Sequence, residues 1–207
     1  MSEVKTEKLS PRVTSLQLGD SGDTFTVPSG ATLDVNGTLD VTGATVTGLS
    51  AGKVLQVVQT TKSDTSSTNS GTAVTTGLEA SITPSATSSK ILVTVVFAYQ
   101  SQADVNTVFQ LYRDSTAIHL SDAAGNRLRT SAGTRYQGVN NNDIYNGAIN
   151  ALDSPSSTSS ITYKLMFFRG YTGNSNYVYL NYSPNDNDNN SAIKRSISSI
   201  TLMEIGA

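Results

Sequence analysis

The sequence predicts an all-β protein, and three observations carry that reading. Runs of β-branched and aromatic residues recur every 10–15 residues over most of the chain, with no helical period between them. Ser and Thr together make up about a quarter of the 207 residues. Charged residues are only 14% of the chain, against roughly 25% in an average soluble protein, and Ala, Glu, Lys and Leu are too scarce for long helices.

Composition also excludes several function classes. There is no Cys, no Trp and a single His, so disulfide scaffolds and Cys-ligated zinc or iron–sulfur sites are ruled out. A formal net charge of −2 and a pI near 5.3 argue against binding nucleic acid by neutralising phosphates. Residues Met1 to Lys8 are charged, with no apolar run behind them, so no signal peptide is expected. No window approaches 18 consecutive apolar residues, so no membrane insertion is expected. Synthesis in a cytoplasm, with release by a route such as lysis, is the expectation.

The chain divides into three zones. Residues 1–24 carry Glu3, Lys5, Glu7, Lys8, Pro11 and Arg12, then the polar stretch Gly19 to Asp23. That zone has too little apolar surface to fold alone and reads as an N-terminal extended arm for attachment.

Residues 25–50 contain an internal repeat. Leu33-Asp34-Val35 recurs six residues on as Leu39-Asp40-Val41, and Gly37 is echoed by Gly43. Alternating apolar and polar residues with Gly or Asn at the corners predict short strands joined by tight turns. Two or three such turns cannot bury their apolar side, so the missing surface must come from other chains. Three copies around one axis would bury Leu33, Val35, Leu39, Val41 and Val46 against their equivalents, a short intertwined trimeric β-stalk. The alternative is an edge hairpin of the domain that follows.

Residues 51–207 hold nine expected strands: Val54–Thr61, Thr72–Glu79, Lys90–Gln100, Val105–Arg113, Thr116–Leu120, Asp143–Ala151, Ile161–Arg169, Tyr177–Tyr182 and Ser196–Ile205. The run Ile91 to Tyr99 is β-branched and aromatic throughout, suited to a strand buried on most of its length. Polar stretches at 63–71, 154–160 and 185–191 separate the runs. Together they predict a C-terminal antiparallel jelly-roll-like sandwich.

These zones together resemble the fibre proteins of tailed bacteriophages, especially those infecting marine bacteria and cyanobacteria. The resembling residues are Glu3 to Thr6, Leu9 to Arg12, Leu18 to Thr32, the Leu33–Gly43 turns and the closing strand Ile200–Ile205. The first fifty residues carry most of the specificity, and the C-terminal domain matches in general character. The resemblance implies a homotrimeric virion appendage. Its arm would dock on other virion structural proteins, with Val4, Lys5, Leu9, Pro11 and Arg12 as candidate attachment residues, and its β-domain would face outward.

Catalytic patterns are weak. His119 has Asp114 and Asp122 nearby, but strand spacing places both on the opposite face, and no Gly-x-Ser-x-Gly elbow exists. Glycoside cleavage needs two opposed carboxylates, and nothing in the sequence pairs Glu79 with Glu204. Asp186 and Asp188 supply oxygen ligands within one loop, but Ser191 and Ile197 stand where an EF-hand needs Gly and Glu. That leaves them a loose calcium candidate beside the reading as a polar turn, and no cofactor is expected.

The tyrosine-bearing loops point to binding. Nine Tyr stand against five Phe, several beside Asn and Gly. Tyr with Asn, Ser and Gly is the composition of adaptable binding surfaces, because Tyr offers large contact area at low entropic cost. Sugars also stack on such rings. Candidate receptor contacts are therefore Tyr136, Tyr145, Tyr171, Asn174, Asn176 and Tyr177, with the 171–177 loop foremost. The reading that follows is a non-enzymatic virion fibre, a tail fibre that adsorbs to a host surface glycan or protein through many weak sites. The alternatives are a capsid head fibre or decoration protein that stabilises the particle, and a small polysaccharide-degrading tailspike.

Overall fold

The structure is a computed structural model and describes residues 24, 26–37, 53–136, 142–170, 173 and 175–206. The chain separates into two compact units, residues 1–48 and 49–207. In the first unit, Ala31 N donates to Pro28 O at 3.0 Å across a turn, with Gly30 at φ 84°. A positive φ at the third turn position is what glycine supplies without a Cβ clash. Among the described residues of this unit no strand forms, and Leu33 and Val35 stand exposed. The expected stalk residues Leu39, Val41 and Val46, and the attachment candidates Val4, Lys5, Leu9, Pro11 and Arg12, lie outside the described residues.

The second unit is built of eleven strands: β1 (Val54–Lys62), β2 (Ser66–Thr68), β3 (Val74–Ile82), β4 (Lys90–Ser101), β5 (Val105–Arg113), β6 (Thr116–Ile118), β7 (Ala132–Tyr136), β8 (Tyr145–Asp153), β9 (Ile161–Arg169), β10 (Val178–Leu180) and β11 (Ser198–Ile205). Every pairing is antiparallel. Sheet A holds β1, β2, β4, β8, β10 and β11, and sheet B holds β3, β5, β6, β7 and β9.

The short strands are pieces of longer ones. Along β4, residues 90–96 pair with β11 and residues 99–101 pair with β10, so β10 and β11 form one interrupted line. β1 and β2 run alongside that line in the same way. Along β5, β7 covers residues 105–109 and β6 covers 111–113, again on one line. Merging each pair leaves eight strands, ordered 1-8-3-6 in sheet A and 2-7-4-5 in sheet B. This is jelly-roll connectivity, two four-stranded sheets in a double Greek key.

The core lies between the sheets. Ile91, Val93, Val95 and Phe97 of β4, Ile200 and Leu202 of β11 and Val178 and Leu180 of β10 face Leu78 of β3, Phe109 and Leu111 of β5 and Tyr163, Leu165 and Phe167 of β9. The period-2 alternation of β3, β9 and β11 supplies these residues, each strand placing alternate side chains inward.

Two strands escape the sequence reading. β2 is Ser-Ser-Thr and β7 is Ala-Gly-Thr-Arg-Tyr, so neither shows an apolar alternation. Each is strand because a neighbouring strand offers a ladder: β10 for β2, and β5 for β7. His119 also departs from expectation. It is exposed, lies just past the end of β6 and has φ 51°, at the start of the excursion over 119–131.

Candidate functional site

Jelly-roll connectivity sends the β2–β3, β4–β5, β7–β8 and β9–β10 connections to one end of the sandwich. The registers show this directly: Tyr99 of β4 faces Tyr145 at the start of β8, and Val105 at the start of β5 faces Tyr136 at the end of β7. Backbone bonds tie the loops together there. Gly170 N donates to Asn106 O at 2.7 Å, Arg169 N to Ser70 O at 2.8 Å and Gln102 N to Tyr177 O at 3.0 Å.

Two candidate residues brace the β4–β5 turn. Asn176 Nδ2 donates to Ala103 O at 2.8 Å, and Tyr177 N donates to Gln102 Oε1 at 2.8 Å. The turn itself passes through Asp104 at φ 61°, a conformation that Asp tolerates better than most residues.

Between β4, β7 and β8 opens a cavity of about 200 Å³, lined by Tyr99, Gln100, Ser101, Thr134, Arg135 and Tyr145. Tyr145 is 40% exposed, and its ring centroid lies 6.1 Å from that of Tyr99. Tyr99 leans in turn on Phe109 at 5.1 Å, and Phe97 meets Phe109 at 4.5 Å, so an aromatic column runs from the core to this opening. Gly147 of β8 faces Phe97 of β4 in register and leaves room for its ring, since a Cβ there would come within 2.6 Å of Phe97 Cε2. Burial, and then the neighbouring Tyr145, raise the Tyr99 pKa, so its phenol stays neutral. Ser101 Oγ is buried with no hydrogen-bond partner among the described residues, a free polar group in the cavity lining. The Arg135 guanidinium is mostly exposed, 4.0 Å from Asp104. An aromatic wall and an exposed guanidinium can stack on and hydrogen-bond a hydroxylated ring.

Thr134 and Arg135 are shared with a shallower groove of about 450 Å³ on the outer side of sheet B, whose other wall includes Arg127 and Leu128 of the excursion. The site therefore continues past the cavity mouth.

The structure brings Tyr136, at the end of β7 in sheet B, and Tyr145, at the start of β8 in sheet A, to this end, and the Tyr177 backbone joins them, but the Tyr177 ring turns away from the cavity. Tyr177 sits on the outer face of sheet A in a row with Tyr179 and Tyr182, at 6.1 and 5.0 Å between successive rings. Burial, then Tyr182 and Tyr177, push the Tyr179 pKa up to about 12. Tyr171 and Asn174 lie outside the described residues. Tyr99 and Arg135 belong to the cavity without having been candidates. Tyr99 sits in a run that reads as buried strand, and Arg135 in a strand with no apolar signal.

Other sequence candidates resolve into local structure. Asp186 accepts from Arg195 Nε at 3.1 Å and Nη2 at 2.7 Å, with Asp188 at 3.9 Å from the same guanidinium. Among the described residues no three or more His, Cys, Asp or Glu side chains come together as a group that could hold a metal ion. Glu204 is fully buried and held by Ser85 and Gln56, away from Glu79.

No family model and no curated protein matches the chain. Among solved structures it is similar to a chain of infectious bursal disease virus, Gx strain, at 13% identity and a TM-score of 0.38 over 73% of this chain and 39% of that one. The VP2 subviral particle of infectious bursal disease virus matches at 15% identity and a TM-score of 0.36, over 72% and 39%. The chain thus spans about two-fifths of the length of the solved chains it matches. At these values the likeness carries no argument about function.

Proposed function

We propose that this chain is a non-enzymatic structural subunit of a virion fibre, homotrimeric, whose jelly-roll domain adsorbs to a host surface glycan. The observation that carries this reading is the loop end. Tyrosine-bearing segments far apart in sequence meet there around a cavity walled by Tyr99 and Tyr145 with Arg135 at its rim. Residues 1–43 support the virion part through their resemblance to phage fibres, and the jelly roll is an architecture that capsid and lectin domains use. A binding role is further supported by the occupation of the inner carboxylates. Glu204 accepts hydrogen bonds from Ser85, Gln56 and Ser89, and Asp153 is held by Arg113 and Tyr163, which leaves neither poised for proton transfer. The arm would seat the fibre on other virion structural proteins. Three weak sites per fibre raise avidity by about 10² or more without a strong single site.

Labelled full-length protein tests this on marine bacterial and cyanobacterial cells. Tyr145→Ala is expected to lower cell binding at least tenfold while leaving the melting temperature within about 3 °C of wild type, since the ring is partly exposed. Unchanged binding by the variant rejects the cavity as the receptor site. Particles that adsorb normally without the protein, yet break at lower temperature, would assign the chain to capsid stabilisation instead.

A further inference from the structure

The outer face of sheet A carries a feature that adsorption at the loop end does not use. In register, Val57 of β1, Met203 of β11, Leu92 of β4 and Leu152 of β8 stand side by side across all four strands. They alternate with the core-facing Val58, Leu202, Ile91 and Ala151, so they point away from the core. Val57 is 56% and Leu152 58% exposed, and Leu55 is exposed beside them. The next two rows, Gln59–Thr201–Thr94–Asn150 and Thr61–Ser199–Val96–Ala148, hold no charged side chain, and the row on the other side holds a single one on β4 and β11, Lys90 opposite Ile205. Sheet B differs. Its outer face pairs Glu79 with Lys164 in register, and Leu128 of the 119–131 excursion lies over Val108 and Gly170.

We propose that this stripe is where copies of the domain meet one another. The proposal rests on the homotrimeric reading above and names the surface that reading leaves open. An antiparallel sheet with a solvated face normally turns polar residues outward, and here four adjacent positions are apolar. The absence of charge on the three rows selects the occupant. Nucleic acid or an anionic membrane surface would call for cations, whereas equivalent faces of identical chains would set like charges against each other.

Chain connectivity points the same way. The polypeptide enters this domain at β1, and Leu55 and Val57 are its second and fourth residues. Copies joined through residues 33–46 would therefore hold their β1 strands at high effective concentration. Four strands about 4.8 Å apart and eight residues long, at about 3.3 Å each, offer on the order of 500 Å². A stable interface needs roughly 800 Å² per partner, so the face associates when the chains are already linked and not alone.

The lack of cysteine makes the test clean. Met203→Cys and Leu152→Cys are placed in the full-length chain, with Ser81→Cys on the outer face of sheet B as control, and each is treated with a short bis-maleimide. Light scattering of each variant is expected near 65 kDa, three times the 21.8 kDa chain. Covalent dimer is then the main denatured product from at least one stripe variant and is absent from the control. A 65 kDa assembly in which neither stripe cysteine crosslinks, or only the control does, overturns the assignment of this face and leaves the trimer standing. A wild-type mass of 21.8 kDa removes the trimer itself, and this proposal with it.

Discussion

Asn181 shows how one residue can hold two interrupted strands in line. It is fully buried with φ 68°, where β10 stops and the chain leaves sheet A before returning as β11. Its Nδ2 donates to Lys62 O and Asp64 O, both at 2.9 Å, beside the break between β1 and β2. Its Oδ1 accepts from Ser198 Oγ at 2.6 Å, and its N donates to Ala98 O at 2.9 Å. Ser196 N returns to Asn181 O at 2.9 Å and closes the excursion. The left-handed conformation suits Asn, and every polar group it carries is used. Replacing the amide would strand two carbonyls and a buried hydroxyl, at about 1–3 kcal/mol each. Asn181→Ala is therefore expected to destabilise the domain by about 4 kcal/mol, read as a melting temperature roughly 10 °C lower. Asn181→Gly relieves the backbone but loses the same bonds, so it should recover only about 1 kcal/mol of that. Full recovery by Gly in a denaturant titration would show that φ, and not the amide, is what matters.

Elements were legible in proportion to their apolar alternation. β3, β4, β5, β9 and β11 announce themselves because one side of each is core, and their ends shift by only a few residues. β2 and β7 are invisible in sequence, since polar residues enter a strand there through pairing alone. The loop-end cavity was half legible for the same reason. Tyr145, flanked by Asn146 and Gly147, reads as a binding tyrosine, while Tyr99 is camouflaged in the apolar run of β4 and Arg135 in β7. Gly147 is the element-scale condition for the site, because it lets β8 lie against Phe97 two residues from Tyr145. Phe97 is fully buried and part of the core, so it has little freedom to yield. Gly147→Ala is expected to destabilise by about 1–3 kcal/mol through overpacking and to weaken cell binding by displacing Tyr145. A variant with wild-type stability and wild-type binding would show that β8 can shift without consequence.

At the scale of the whole molecule, the two sheets are joined by polar contacts as well as by the core. Asp153 of sheet A takes Arg113 Nη1 at 2.9 Å and Tyr163 OH at 2.6 Å, both from sheet B. Burial, then the bond to Asp153, raise the Tyr163 pKa and keep the phenol a donor. Glu204 of β11 binds Ser85 N at 2.7 Å and Ser85 Oγ at 2.6 Å in the β3–β4 connection, and Gln56 Nε2 at 2.6 Å in β1. Burial alone would raise its pKa. The hydrogen bonds from Ser85, Gln56 and Ser89 outweigh that and hold it at about 2. A depressed carboxyl pKa stabilises the fold above the unfolded value near 4.5 and ceases to do so as pH falls toward 2. The contribution is on the order of 3 kcal/mol at pH 7 and about 1 kcal/mol at pH 3. Denaturant midpoints of wild type and Glu204→Gln should therefore lie well apart at pH 7 and converge on acidification. A gap independent of pH would show that packing, not charge, makes the difference.

The position of β11 has a consequence for how the domain comes into being. It lies between β1 and β4, so the first strand of the domain finds its ladder partner only in the last. Synthesis at about 5–20 residues per second leaves β1 without that partner for roughly 7–30 s after it emerges from the ribosome. Sheet A cannot close until β11 has emerged, whereas residues 25–50 are free of the ribosome throughout that interval. Chains that terminate before Ser198 would display β1 and β4 as unpaired edges, open to aggregation and proteolysis. Only a chain that contains β11 hides them, which makes this strand a built-in check that the domain is whole.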